Sequence, residues 1–203
     1  MSKPLTLSIA LSLILVLCWT RATATTLLPM PLQRMVAAAD VIFHGRVLEN
    51  KVELDEKSGQ VATFTKFEVI QVAKGNPDQI VTIKQIGGEL PDAKIKMKIH
   101  GVPHFEANRE YVVFVPKASR LGFSSPVGLW QGKFDIRELD GQMIVSNGRR
   151  ISALAQADAR ETIANTPGAI TTTPSPALKS IPGQPASARL PDFLETVRKM
   201  AQE

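Results

Sequence analysis

Ala39-Asp40-Val41-Ile42-Phe43-His44-Gly45-Arg46-Val47-Leu48 is the stretch whose reading decides the fold class. β-Branched and aromatic residues crowd positions 41–47, the composition of a strand that packs on a pleated surface. Gly45 interrupts it, as a bulge or a close approach of two backbones would require. Immediately upstream, apolar residues at 32, 35, 36 and 39 have helical spacing and predict a short helix. Asp40 stands at the junction, where its carboxylate is expected to bond nearby backbone donors. Before the helix, Pro29 and Pro31 favour an extended segment.

Downstream of this stretch the pattern stays that of strands. The first runs from Val41 to about Leu54, and the polar turn Asp55-Glu56-Lys57-Ser58-Gly59 returns the chain into a second, Val61 to Val72. Lys74-Gly75-Asn76-Pro77-Asp78 is a stop and turn. Ile80 to Ile86 predicts a third strand, and Gly87 to Asp92 a loop. Ile95, Met97 and Ile99 alternate with Lys94, Lys96 and Lys98, predicting a fourth strand with its lysines in water. Tyr111 to Val115 reads as the most buried strand. Val127 to Ile136 and Met143 to Val145 are expected to close the set as a hairpin through Glu138 to Gly141. No crossover helices separate these strands, so the expected domain over 25–150 is mainly β: a closed or nearly closed antiparallel barrel of the oligonucleotide/oligosaccharide-binding (OB) type, with a sandwich as the alternative.

The two ends of the chain have a different character. Lys3, the apolar run Leu5 to Trp19 and the small-residue site Ala22-Thr23-Ala24 read as a signal peptide over 1–24, cleaved before Thr25. The apolar run falls short of the roughly 20 residues of a membrane-spanning helix, so no transmembrane segment is expected after cleavage and the destination is periplasmic or extracellular. Removing 24 of the 203 residues leaves 179 and lowers the formal charge from +5 to +3. The remaining basic residues are scattered among acids, which argues against a nucleic-acid partner. Cys18, the only cysteine, is lost with the leader, so the mature chain has neither a disulfide nor a thiolate. At the other end, residues 151–165 are Ala-rich and predict a helix. Residues 166–188 hold five prolines among Thr, Ser and Ala and read as a linker. Residues 189–203 predict an amphipathic helix, with Leu190, Phe193, Leu194, Val197 and Met200 on one face.

Asp40-Val41-Ile42-Phe43-His44-Gly45-Arg46-Val47, followed by Phe67-Glu68-Val69 and Lys74-Gly75, resembles the core of the netrin-like domain, the OB-type barrel of the tissue inhibitors of metalloproteinases. The wider pattern, with Gly87-Gly88-Glu89 and Gly101-Val102-Pro103-His104-Phe105, is similar to a group of exported bacterial proteins of unsettled function. In the inhibitors the amine and carbonyl of the processed N-terminus chelate the zinc of the protease. The resemblance therefore implies a partner-binding role for Thr25, Thr26, Leu27 and Leu28, with Thr25 fifteen positions before Asp40. It also implies a protein partner, an exported zinc metalloprotease being the specific case. Thr25 and Leu27 stand where the family has cysteines, so the segment is expected to lack the tether that disulfides supply.

No cofactor and no catalytic constellation is expected. His100 and His104 have the i, i+4 spacing of a helical zinc pair, but Gly101 and Pro103 between them deny the helix that would give the spacing meaning. They are the only candidates for a metal. His44 reads as a residue of a half-buried strand face, with no carboxylate fixed near it by sequence. Ser124-Ser125 and Thr171-Thr172-Thr173 lack a neighbouring base, and Asp135 and Glu138 read as charges flanking a hairpin. Gly87-Gly88 lacks the strand-to-helix context of a phosphate loop, and Trp130 reads as core or barrel rim, an exposed ligand platform being the alternative. The functional expectation is a non-enzymatic, exported binding protein. The alternatives are an envelope-associated structural module and, last, an unrecognised hydrolase.

Overall fold

The computed structural model describes residues 28–149, 180–181 and 186–202. The expected signal peptide, Thr25 to Leu27, the helix at 151–165 and most of the linker lie outside the described residues. A short helix α1 (Leu32–Ala38) is followed by strands β1 (Val41–Asp55), β2 (Gln60–Lys74), β3 (Ile80–Ile86), β4 (Gly88–Leu90), β5 (Ile95–Met97) and β6 (Glu110–Val115). A 3-10 turn (Leu129–Gly132) then leads into β7 (Lys133–Leu139) and β8 (Gln142–Ser146). The last elements are β9 (Ala188–Arg189) and helix α2 (Leu190–Gln202).

The protein is mainly β, and all its strand pairings are antiparallel. Seven strands make one sheet in the order β3-β2-β1-β6-β7-β8-β9, and β4 and β5 make a separate ribbon. Among the described residues β3 and β9 remain edges. The closed barrel expected from the strand count is therefore not formed by main-chain pairing.

β1 is the axis of this sheet, pairing with β2 on one side and β6 on the other. Register shifts at Ile42/Phe43, His44/Gly45 and Val47/Glu49 accent its bend. Gly45 supplies the close approach that its position implied: a Cβ there would sit 2.7 Å from the Glu68 carbonyl oxygen and 2.8 Å from the Phe43 ring.

Each face of the sheet carries its own core. On one face Ile42, Val112, Phe114, Phe134, Ile136 and Val145 pack under both helices, α1 contributing Leu32, Met35 and Val36 and α2 contributing Phe193, Leu194 and Val197. On the other, Phe43, Val47, Phe67, Ile83, Tyr111 and Val113 pack with Phe105 from the loop before β6. The apolar stripe read in α2 is thus buried against the sheet. The segment before it, read as the end of the linker, adds β9 to the edge of β8, with Ser146 Oγ donating to the Ala186 carbonyl at 2.7 Å.

Three strand assignments differ from the sequence reading. β5 is only Ile95–Met97, and its partner β4 lies in the stretch expected to be loop. Ile95 in the ribbon and Ile99 just after it stay 41% and 39% exposed. Alternation there describes a two-sided ribbon and not a core strand. The strand expected from Val127 begins only at Lys133, because Gly128 and Leu129 adopt positive φ of 60° and 59° and wind the chain into the 3-10 turn. The β7–β8 hairpin turns at Asp140-Gly141 within the expected span.

Asp40 joins helix to strand through its main chain. Its N–H donates to the Val115 carbonyl at 2.8 Å, while the residue is exposed. The charged group at this junction is Lys74, whose Nζ donates to the carbonyls of Val36 at 2.7 Å and Ala39 at 2.6 Å. A cation on the last carbonyls of α1 satisfies acceptors that have no partner within the helix. Gly75, with φ of 79°, passes so close that a Cβ would lie 2.7 Å from the Asp40 carbonyl oxygen. Asp40 and Lys74-Gly75, far apart in sequence, thus form one structural unit.

Candidate functional site

The N-terminal segment is fastened to the domain by a buried polar cluster. The 3-10 turn delivers Gln131, 2% exposed, beneath it. Gln131 Oε1 accepts from the Met30 N–H at 2.8 Å, and its Nε2 donates to the Leu28 carbonyl at 3.1 Å. Arg149 Nη1 donates both to Gln131 Oε1 at 2.7 Å and to the Met30 carbonyl at 3.2 Å. Asn147 Nδ2 donates to the Gln131 carbonyl at 2.9 Å. Burial lowers the Arg149 pKa from its ordinary value. A side-chain amide, with one donor and one acceptor facing an extended backbone, imitates a strand partner.

From Leu28 to Met30 the segment is held without any disulfide. The clamp grips the main chain and leaves the Leu28 side chain 86% exposed. Trp130, in the same turn as Gln131, is 40% exposed, and its main-chain N–H donates to the Gly101 carbonyl at 3.2 Å. Of the expected partner-binding residues, Leu28 therefore lies on this edge, whereas Thr25, Thr26 and Leu27 lie outside the described residues.

A second cluster was not foreseen. His44 is 6% exposed, and its Nε2 lies 2.8 Å from Glu110 Oε2. Arg46 donates to the other oxygen of Glu110, from Nη2 at 2.7 Å and Nε at 3.2 Å. Burial alone would raise the Glu110 carboxyl, but the bonds from Arg46 and His44 outweigh it and hold the group below its ordinary range. The carboxylate orients the imidazole and is itself held by the guanidinium. Arg46 and Glu110 face each other across β1 and β6, so the pairing follows from strand register. Sixty-six positions separate His44 from Glu110, and no local spacing announces them.

A third polar group, Lys84, fastens a loop to the sheet. Lys84 Nζ pairs with Asp55 Oδ1 at 2.7 Å, donates to the Leu121 carbonyl at 2.7 Å and lies 4.5 Å from the centre of the Phe123 ring. The bonds from Lys84 and Ser58 hold the Asp55 carboxyl at about 2. Ser124 takes part in the same fastening, its N–H donating to the Lys84 carbonyl at 2.9 Å. Its hydroxyl accepts from the Lys84 N–H at 3.3 Å.

The remaining candidates are dispersed. Asp135 pairs with Lys133 at 3.3 Å, and Glu138 is exposed. His100 is exposed in the loop after β5, while His104 lines a cleft beneath the β4–β5 ribbon. Among the described residues no group of three or more His, Cys, Asp or Glu side chains is placed to hold a metal ion, and no helix is long and apolar enough to cross a membrane. Compared with protein-family models and with curated proteins, the chain matches none.

Proposed function

We propose that this is an exported, non-enzymatic binding protein whose partner surface is the edge built on its N-terminal segment. The observation that carries the reading is the Gln131 clamp, which fixes the main chain of Leu28 to Met30 and leaves the Leu28 side chain outside. A segment immobilised before contact loses less conformational entropy on binding. An exposed leucine bonded to Gln131 and an exposed tryptophan next to Gln131 in sequence supply the apolar anchors that dominate such interfaces. The partner is a protein, with an exported zinc metalloprotease as the specific case. The amine and carbonyl of Thr25 would then be the chelating atoms.

The finer fold reading, a netrin-like OB-type sheet, belongs to the same proposal. Its support is the packing of Lys74-Gly75 against the end of α1 and Asp40, the residues on which the resemblance rests. An envelope-associated module docking through its C-terminal helix is less favoured, because the apolar face of α2 is already occupied by the sheet.

Inhibition of a secreted zinc endopeptidase of the thermolysin class by protein beginning at Thr25, and by protein with one extra N-terminal residue, tests the specific case. Inhibition lost on the extension is the expected result. Equal potency of both forms, or none from either, removes the chelating terminus. The wider claim fails if Leu28→Asp with Trp130→Ala leaves capture of partners from the exporting cell unchanged.

A further inference from the structure

A cleft of about 290 Å³ lies between the β4–β5 ribbon, the end of β3 and the loop from Ile99 to Phe105. Its walls are chiefly apolar: Ile86, Met97, Ile99, Val102 and Phe105. Two polar side chains from the sheet join them. Thr63 Oγ1 donates to the Gly87 carbonyl at 2.7 Å, so this hydroxyl hydrogen is already used. Gln85 is 3% exposed, and its Nε2 donates to the Pro103 carbonyl at 3.2 Å. Among the described residues no donor reaches Gln85 Oε1.

A buried amide oxygen without a donor is costly, and such groups in native proteins call for an explanation. An N–H brought by a ligand supplies one. Lys98 and His104 also line the cleft, and Lys98 has no ion-pair partner among the described residues. Lys96, its neighbour along the ribbon, is engaged with Glu89 at 2.8 Å.

These features specify a ligand with an apolar body, an amide N–H beside it and a negative charge at the end. The volume lies at the bottom of the roughly 300–1,000 Å³ of pockets that enclose drug-sized molecules, which favours a short group entering from one side. We propose that the cleft is a recognition site for the free C-terminus of a polypeptide ending in an apolar residue. The terminal side chain packs against Met97, Ile99 and Phe105, its amide N–H donates to Gln85 Oε1, and its carboxylate meets the Lys98 ammonium. The proposal is independent of the N-terminal edge, which uses other residues.

The test is titration of the isotope-labelled chain with N-acetyl-Ala-Ala-Leu and, separately, with its C-terminal carboxamide, followed by NMR. The expected result is binding at a Kd of about 1 mM or tighter, with shifts at the Gln85 side-chain amide, Gly87, Gly88 and Met97. The carboxamide and the exposed-site variant Lys98→Glu should each weaken binding at least about tenfold, or about 1.4 kcal/mol. Met97→Trp, which fills the space from the half-exposed ribbon, should abolish it. Equal response to acid and amide, shifts confined to surfaces outside the cleft, or no response at about 10 mM peptide, a concentration well above the expected Kd, overturns the proposal.

Discussion

The two faces of the sheet are filled by different means. One is covered by helices from the two ends of the described chain, α1 and α2, whose apolar side chains lie over Ile42, Phe114 and Phe134. The other is filled from within, by rings meeting edge to face: Phe43 on Phe67 at 5.5 Å, Phe67 on Phe105 at 5.0 Å and Phe105 on Tyr111 at 5.2 Å. The first face depends on separate elements returning to the sheet, while the second is built largely by strands already paired. A single central strand, β1, serves both, with Ile42 turned to one and Phe43 to the other.

Removing the cover breaks this comparison most severely. Ending the chain at Ser187 removes β9 and α2, including the buried Leu190, Phe193, Leu194, Val197 and Met200. At about 1.5–3 kcal/mol for each large buried side chain, the loss rivals the roughly 5–15 kcal/mol total stability of a domain. Denaturant melts should show no cooperative transition. A retained transition at the full-length midpoint would mean that the helix is free for a partner.

Phe67→Ala probes the other face, where the ring is fully buried. The expected cost is about 3–5 kcal/mol, read from the shift in denaturant midpoint. Since the strands remain to hold one another, the variant should keep a cooperative transition and a strand-dominated circular dichroism spectrum. A loss of cooperativity like that of the truncation would erase the distinction between the faces.

Gln131→Leu tests the edge where the N-terminal segment joins the helix-covered face. It removes the acceptor shared by Met30 and Arg149 and the donor to Leu28. The expected cost is about 1–3 kcal/mol, with faster amide exchange at Met30 than elsewhere. Unchanged exchange at Met30 would show that the clamp does not hold the segment.

The effect with the narrowest reach is electrostatic. Asp55 titrates at about 2 when folded against an ordinary 3.8. Its depressed value contributes stability that is fully present above about pH 4 and is lost as pH falls through about 2. Lys84→Met should therefore lower the melting temperature most above pH 4, and the gap to the parent should narrow as pH falls through about 2, leaving the part due to the lost Leu121 bond. Parallel curves down to pH 2 would exclude the Asp55–Lys84 pair as the source.

The helix-covered face was the more legible in sequence. The 3.6-residue spacing of Leu32, Met35 and Val36, and of Phe193, Leu194 and Val197, is a local property that survives into the structure. β1, β2, β3 and β6 were legible for a similar reason: their β-branched runs are long and bounded by turns. The ribbon misled because alternation of Ile95, Met97 and Ile99 with lysines reports only that two sides differ, and not that another layer covers one of them. The start of the strand expected from Val127 misled because positive φ at Leu129 has no side-chain signature. The polar clusters were out of reach, since Gln131 meets Met30, and His44 meets Glu110, through strand order and register alone.

The Gln131 clamp also constrains the order of assembly. It joins Met30 to a residue 101 positions later in the chain, and Arg149 completes it later still. The first part of the described chain to be synthesised is therefore among the last to be fixed. Contacts of such long range close slowly, because loop closure must be met before they contribute. A chain stalled or cut before residue 149 would display Leu28 on a loose segment, so the intact clamp reports that synthesis has passed the sheet.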